Sequence, residues 1–393
     1  MFRALSIRNY RLFASGSVVS NIGTWMQRVA QDWLVLQLTD NSGTALGITT
    51  GLQFLPILLL SPYAGLIADR FPKRRVLAMT QLAMAASATV LGVLAVTGLA
   101  QTWQVFVLAF IFGIGTAFDG PTRQAFVVEM VGRDDLPNAV GLNSASFNAA
   151  RIVGPALAGG LIVALGSGVR ATGLVILLNA LSYFAVVWSL HRMRGSELDT
   201  PEPAERSPGM IRDGVRYVRA RPDLMLVLTI IFFAGTFGLN FQMTTALMAT
   251  DVYHKGAGEF GLLGSAMAVG SLAGALLAAR RGQPRQRLVI GSALAFGTLE
   301  IAAGLMPTFL TFALWLPLVG ITALTLITAA NSTMQLSVAP EVRGRVMALY
   351  MTIFMGGTPL GAPIVGWVGE AFGARWTLIG GGAITILGTV AAT

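Results

Sequence analysis

Twelve apolar runs, each near the ~20 residues that a helix needs to cross a bilayer, follow one another along this chain. They fall at roughly 12–38, 45–68, 76–98, 103–122, 138–165, 170–190, 223–250, 258–279, 288–306, 308–331, 343–369 and 375–392. Polar and apolar residues do not alternate along them, so they read as helices and not as the strands of a barrel. Only 11% of the residues are charged, against about 25% in a soluble globular domain. So little charge cannot cover a water-facing surface of this size. The fold class that follows is an all-α membrane protein with 12 transmembrane helices. The first run is far longer than the apolar core of a cleaved signal peptide.

A net charge of +9 invites a nucleic-acid reading, but the positions of the bases oppose it. Of 27 Lys and Arg residues, 22 lie in one alternating set of connections, with the N-terminus. Three, Arg170, Lys255 and Arg375, lie in the other set, and Arg28 and Arg151 lie inside runs. This is a topology signal that puts both termini in the cytoplasm of a plasma-membrane protein, with no nucleic-acid partner. There is no cysteine, and the two histidines, His191 and His254, sit at segment ends. Disulfides and thiolate chemistry are excluded, and neither a metal site nor a cofactor is expected. The lysines Lys73 and Lys255 lie outside any phosphate-binding GxxxxGK[ST] loop.

The polar segment 191–222 divides the chain into six runs and six, giving domains 1–190 and 223–393. Its part "GMIRDGVRYVRA" is expected to form an amphipathic surface helix. The halves repeat. Residues 133–166 align with 340–373 at a constant offset of 207, matching Asp134 with Glu341, Phe147 with Phe354, Gly154 with Gly361, Gly159 with Gly366 and Gly166 with Gly373. Two halves repeated in parallel are the architecture of a rocker-type transporter with its site near the midplane.

Between the second and third runs stands "GLIADRFPKRR" (65–75). It resembles the signature loop of the major facilitator superfamily. Gly65, Ala68, Asp69, Arg70, Lys73 and Arg74 match, and Pro72 stands where that family usually has Gly. "NYRLFASGSVVSNIGTWM", "AFDGPTRQAFVVEMV" and "NAARIVGPALAGG" are similar to the branch of enterobactin-type siderophore exporters and bacterial drug exporters. "GPALAGG" also resembles the antiporter motif of the superfamily, with one extra residue before its Gly pair and Ala150 where a Gly is usual. The resemblance implies a cytoplasmic gate of Gly65, Asp69, Arg70, Lys73, Arg74, Asp119 and Arg123. Asp119 is expected to pair with Lys73 or Arg74. On the bland alternative the bases only set topology. In the second half Gly274 matches Gly65, but Ala278 replaces Asp69, so gating reads as asymmetric.

Ionisable groups at bilayer depth are functional candidates. Asn21, Trp25, Arg28 and Asp32 share one face of the first span, and Asn143, Phe147 and Arg151 recur every four residues in the fifth. These residues are candidates for substrate binding, and Asp32 for proton coupling. Arg28 and Arg151 either hold Asp32 or bind an anionic substrate, and the bland alternative for Asp32 is a structural ion pair. Glu300, in the middle of the ninth span, either snorkels, touches a neighbour or titrates as a second proton site. The second half adds Asn240 and Gln242, with Met351 and Phe354 as an apolar wall or as plain packing. The function expected is export of lipophilic or amphipathic small molecules by proton antiport. The alternatives are a siderophore or metabolite exporter, and an uptake symporter or uniporter. Partners are the substrate, protons and the bilayer, and the protein is expected to act as a monomer.

Overall fold

The computed structural model describes residues 3–198, 210–280 and 286–393. All twelve apolar runs are helical. They lie in α1 (Arg8–Leu38), α2 (Gly43–Arg70), α3 (Lys73–Thr97), α4 (Thr102–Ala164), α5 (Val169–Arg192), the broken seventh span, α9 (Ala257–Arg280), α10 (Gln286–Gly304), α11 (Phe309–Leu336), α12 (Pro340–Phe372) and α13 (Ala374–Ala392). Among the described residues, eleven helical segments are long and apolar enough to cross a membrane. The other spanning helix is α1, which is 31 residues long but rich in polar side chains.

Two places depart from the sequence reading. The stretch 123–137, expected as a connection, is helix. α4 runs for 63 residues and bends only at Gly132, where φ is 66° and ψ 179°. A residue with a Cβ is strained there, and glycine is not. Pro137 lies five residues beyond this bend, near the start of the second limb, where its missing N–H removes one helical hydrogen bond. The seventh span is broken. It consists of α7 (Pro222–Phe233), a π-helical turn (Ala234–Gly238), α8 (Phe241–Leu247) and a second π-helical turn (Met248–Val252). The Leu239 N–H donates to the Ala234 carbonyl at 2.8 Å, one residue further back than in an α-helix. Such bulges concentrate at functional sites. The polar segment does carry a helix, α6 (Met210–Arg219). Residues 199–209 lie outside the described residues.

The chain forms two compact units, Met1–Thr39 with Leu55–Glu205, and Asp40–Phe54 with Arg206–Thr393. In the first, α1 packs on α4 and α5, and α3 on α5. Gly92 and Gly173 let α3 and α5 approach closely, because a Cβ on Gly173 would sit 2.9 Å from the Gly92 carbonyl. In the second, α9 packs on α11 and α10 on α13. The first part of α2 belongs there, with Gly51 against Pro359 of α12. The 207-residue repeat recurs in the backbone: Gly166 and Gly373 both have positive φ, 105° and 99°. Gly154 lies against Trp25 of α1, and Gly361 lies against Thr236 of the seventh span.

Candidate functional site

In the first unit the two expected faces meet. The rings of Trp25 and Phe147 contact edge to face, with centroids 5.7 Å apart. The Arg28 guanidinium lies 4.9 Å from the Trp25 ring centroid, a cation–π distance. Asp32, one turn further along α1, is 3% exposed, and its charge acts on Arg28. Asn21, Trp25, Arg28, Asn143 and Arg151 are half-buried, while Phe147 is 47% exposed. Arg151 follows Phe147 by one turn of α4. Its Nε and Nη2 are buried without a hydrogen-bond partner among the described residues. An unmet buried donor costs about 1–3 kcal/mol, so this guanidinium is suited to an acceptor that arrives from outside the chain.

Beside this face α1 carries a second polar stripe that the sequence reading missed. Ser17, Ser20, Thr24, Gln27 and Gln31 are spaced by three and four residues, which places them along one side of a helix. Asn179 of α5 donates to Gln27 and accepts from Ser182 at 2.8 Å. Thr24 and Tyr183 share a hydrogen bond of 3.2 Å. At the other end of the stripe, Arg123 donates to Ser17 at 2.8 Å and to Asp119 at 3.0 Å. Asp119 also accepts from Gln81 at 2.7 Å and Thr80 at 3.1 Å, and Ser20 donates to Gln81 at 3.3 Å. These groups close a buried ring across α1, α3 and α4.

That ring corrects the expected partner of Asp119. Asp119 pairs with neither Lys73 nor Arg74. Arg123, four residues on along the same helix, reaches it first, and two side chains of α3 fill its remaining acceptor sites. Lys73 instead pairs with Glu129 at 2.6 Å, with side chains 9% and 5% exposed. Arg74 donates to the His191 carbonyl at 3.1 Å, and Arg70 is exposed. The side chains of Gly65 and Asp69 lie outside the described residues. Glu129 was missed because no spacing along one helix connects it to Lys73. The signal available was an acid, six residues beyond Arg123, in an otherwise apolar stretch.

In the second unit the candidates gather at the break of the seventh span. Asn240 is buried and donates to the Thr236 carbonyl at 2.8 Å, while its Oδ1 lacks a hydrogen-bond partner among the described residues. Gln242 is half-buried. Phe354 of α12 stacks on Tyr350 at 6.1 Å, and a Cβ on Gly235 would lie 3.2 Å from its carbonyl. Met351 is exposed and joins none of these contacts. Glu300 is 0% exposed, which removes snorkelling as its explanation.

Comparison with known proteins agrees with this architecture. The family described as transmembrane secretion effector matches residues 1–393. Macrolide efflux protein A of Streptococcus pyogenes is 25% identical, over 98% of this chain and 95% of that protein. Multidrug efflux pump Tap of Mycolicibacterium fortuitum is 28% identical, over 94% of this chain and 90% of that one. The staphyloferrin A transporter of Staphylococcus aureus is 30% identical over 50% of this chain and 48% of its own length. Among solved structures, a bacterial homologue of the human lysosomal transporter Spinster has a TM-score of 0.77, covering 98% of this chain and 96% of that one. At 16% identity that likeness is one of fold.

Proposed function

Since this chain belongs to the transmembrane secretion effector family of major facilitator transporters, we propose that it is a proton-driven exporter of lipophilic or amphipathic small molecules, working by alternating access. One observation carries the reading: the Trp25–Phe147 pair beside Arg28 and the buried Asp32. A half-buried and an exposed aromatic ring give an adaptable apolar contact. The carboxyl group of Asp32, two turns beyond Trp25 on α1 and acting on Arg28, gives a group for which substrate and proton compete. Binding of one then expels the other, which is the thermodynamic content of antiport. The relatives named for macrolide and multidrug efflux support the substrate class.

In this proposal the protein is a plasma-membrane monomer with both termini in the cytoplasm. Its halves are 1–190 and 223–393, joined by 191–222. The test is made in proteoliposomes with an inside-acidic gradient and a panel of lipophilic dyes, following lumenal pH for wild type and Asp32→Asn. Substrate-driven proton release that the substitution abolishes is the expected result. Release that survives moves coupling away from Asp32. No release with any dye sinks proton-driven export of such compounds.

A second reading, a siderophore or metabolite exporter, is favoured by Arg151. Its two buried nitrogens, without a hydrogen-bond partner among the described residues, suit a carboxylate or another acidic group. One relative is named for staphyloferrin A transport. Competition of the dyes by acidic amphiphiles, lost in Arg151→Gln, would favour it. Influx in place of efflux would point to a symporter or uniporter of the same fold.

A further inference from the structure

The carboxyl group of Glu300 lies beside two glycines, Gly238 and Gly381, which leave it room. Gly297, Glu300 and Gly304 share one face of α10. A Cβ on Gly297 would lie 2.7 Å from the carbonyl of Gly382 on α13, so the two helices run in close contact. The space left to the carboxyl is a notch between Gly238, which ends the π-helical turn, and Gly381 of α13. A Cβ on Gly238 would fall 3.0 Å from Glu300 Oε2 and 2.9 Å from Thr385 Oγ1. One on Gly381 would fall 3.0 Å from Glu300 Oε1 and 2.7 Å from the Phe237 carbonyl. Phe296, one turn before Glu300, closes the notch with Phe241 at 5.7 Å. Neither carboxyl oxygen has a hydrogen-bond partner among the described residues. The Thr385 hydroxyl donates to the Gly381 carbonyl at 2.9 Å.

Among the described residues, no counter-charge faces this seat from any element around it. On α13 the nearest is Arg375, whose guanidinium is committed to the carbonyls of Gly304 at 2.7 Å and Met306 at 2.9 Å. On the seventh span Asp223 and Asp251 lie near opposite ends, and Asp223 is paired with Arg221. On α10 the other ionisable group is Arg287, near its start, and α11 has none. On α12, Arg343, Arg345 and Glu370 are near the ends, and the Tyr350 hydroxyl donates to the Ile327 carbonyl at 3.4 Å.

A bare carboxylate in such a seat would bear the full cost of desolvation. We propose that Glu300 is a proton-binding site of the second unit and that its proton latches the break of the seventh span. The protonated acid fits the notch between Gly238 and Gly381. Loss of the proton creates an anion that the notch cannot hold, so the turn 234–240 must open to bring water or donors to it. Of the elements around Glu300, that turn is the one already out of regular helix, and so the one that moves at least cost. The ligand is a proton rather than a metal ion because no group of three acidic or histidine side chains gathers among the described residues. The latch deepens the proton-coupled reading and depends on it only for its use in transport.

The test does not require transport. The chain has no cysteine, so Leu239→Cys is a unique reporter of the break. Its alkylation rate is followed against pH in the purified protein, in the wild-type and the Glu300→Gln background. The amide keeps the volume and carries no titratable proton, and the ratio of the two rates removes the pH dependence common to both backgrounds. The ratio is expected to rise with pH by up to about tenfold per unit, the slope of one titrating group. A flat ratio overturns the proposal. So does a rise driven by sodium at fixed pH, which would make the ligand a cation. Infrared spectra give a second readout, in which the protonated-carboxyl band present near neutral pH is lost in Glu300→Gln. The absence of any such difference overturns the proposal equally. If the ratio rises but dye-driven proton release is absent, the latch stands and the antiport reading falls.

Discussion

Lys73 and Glu129 show how much a single pair can matter in this protein. Their 2.6 Å contact is buried at both ends. Removing one partner strands a charge in a buried site, at a cost of about 3–5 kcal/mol. Lys73→Met and Glu129→Gln should therefore each lower the thermal midpoint in detergent strongly. The double variant Lys73→Met/Glu129→Leu should recover most of the loss. Equal melting of both single variants and wild type would show that the pair contributes little. The reach of sequence reasoning is visible in this pair and its neighbour. Asp119 and Arg123 are four residues apart on one helix, yet the expected partner of Asp119 was Lys73 or Arg74 and not Arg123. What Asp119 would not touch was not legible, because Thr80 and Gln81 approach from α3 and no periodicity reports the rotation of α3 against α4. Trp25 and Phe147 were named from two separate stripes, and their contact needed the packing at Gly154 to be seen.

At the scale of elements, two glycines separated by 207 residues hold corresponding crossings. A Cβ on Gly154 would lie 2.5 Å from Trp25 Cβ and 3.1 Å from the Ile22 carbonyl. One on Gly361 would collide with the carbonyl of Thr236 in the π-helical turn. Overpacking a tight crossing costs typically about 1–3 kcal/mol. Gly154→Ala and Gly361→Ala should both destabilise, and Gly361→Ala more, since the Thr236 carbonyl lies nearer to the added Cβ than Trp25 does at Gly154. Thermal unfolding of the two variants in the same detergent decides it, and the reverse order would contradict the packing described. The repeat itself was legible because these glycines recur in one ungapped register with Gly166 and Gly373, whose positive φ gives a physical reason for the recurrence. The break in the seventh span was not legible. "AGTFGLN" contains no proline, and an isolated glycine in an apolar run is read as packing. The helix from 123 to 131 was hidden by its charges, which look like a loop in sequence but face a ring of partners in the fold.

At the scale of the whole molecule, the distribution of charge predicts which way the chain lies across the membrane. Twenty-two bases on one set of connections against three on the other is a bias that insertion obeys when loops are short. Acidic residues contribute little to it, so the pairing of Lys73 with Glu129 or of Arg123 with Asp119 does not cancel it. The consequence is checked one position at a time, because any introduced cysteine is unique. Ser6 and Ser196 are exposed on the base-rich side, and Gly168 is exposed on the other. A Cβ on Gly168 would meet nothing within 4 Å. In intact cells a membrane-impermeant maleimide should modify Gly168→Cys and leave Ser6→Cys and Ser196→Cys untouched until the cells are opened. The reverse pattern would invert the orientation, and with it the direction in which a proton gradient could drive the substrate. The assay reads only the sidedness of three exposed positions, so it stays valid whatever the substrate proves to be.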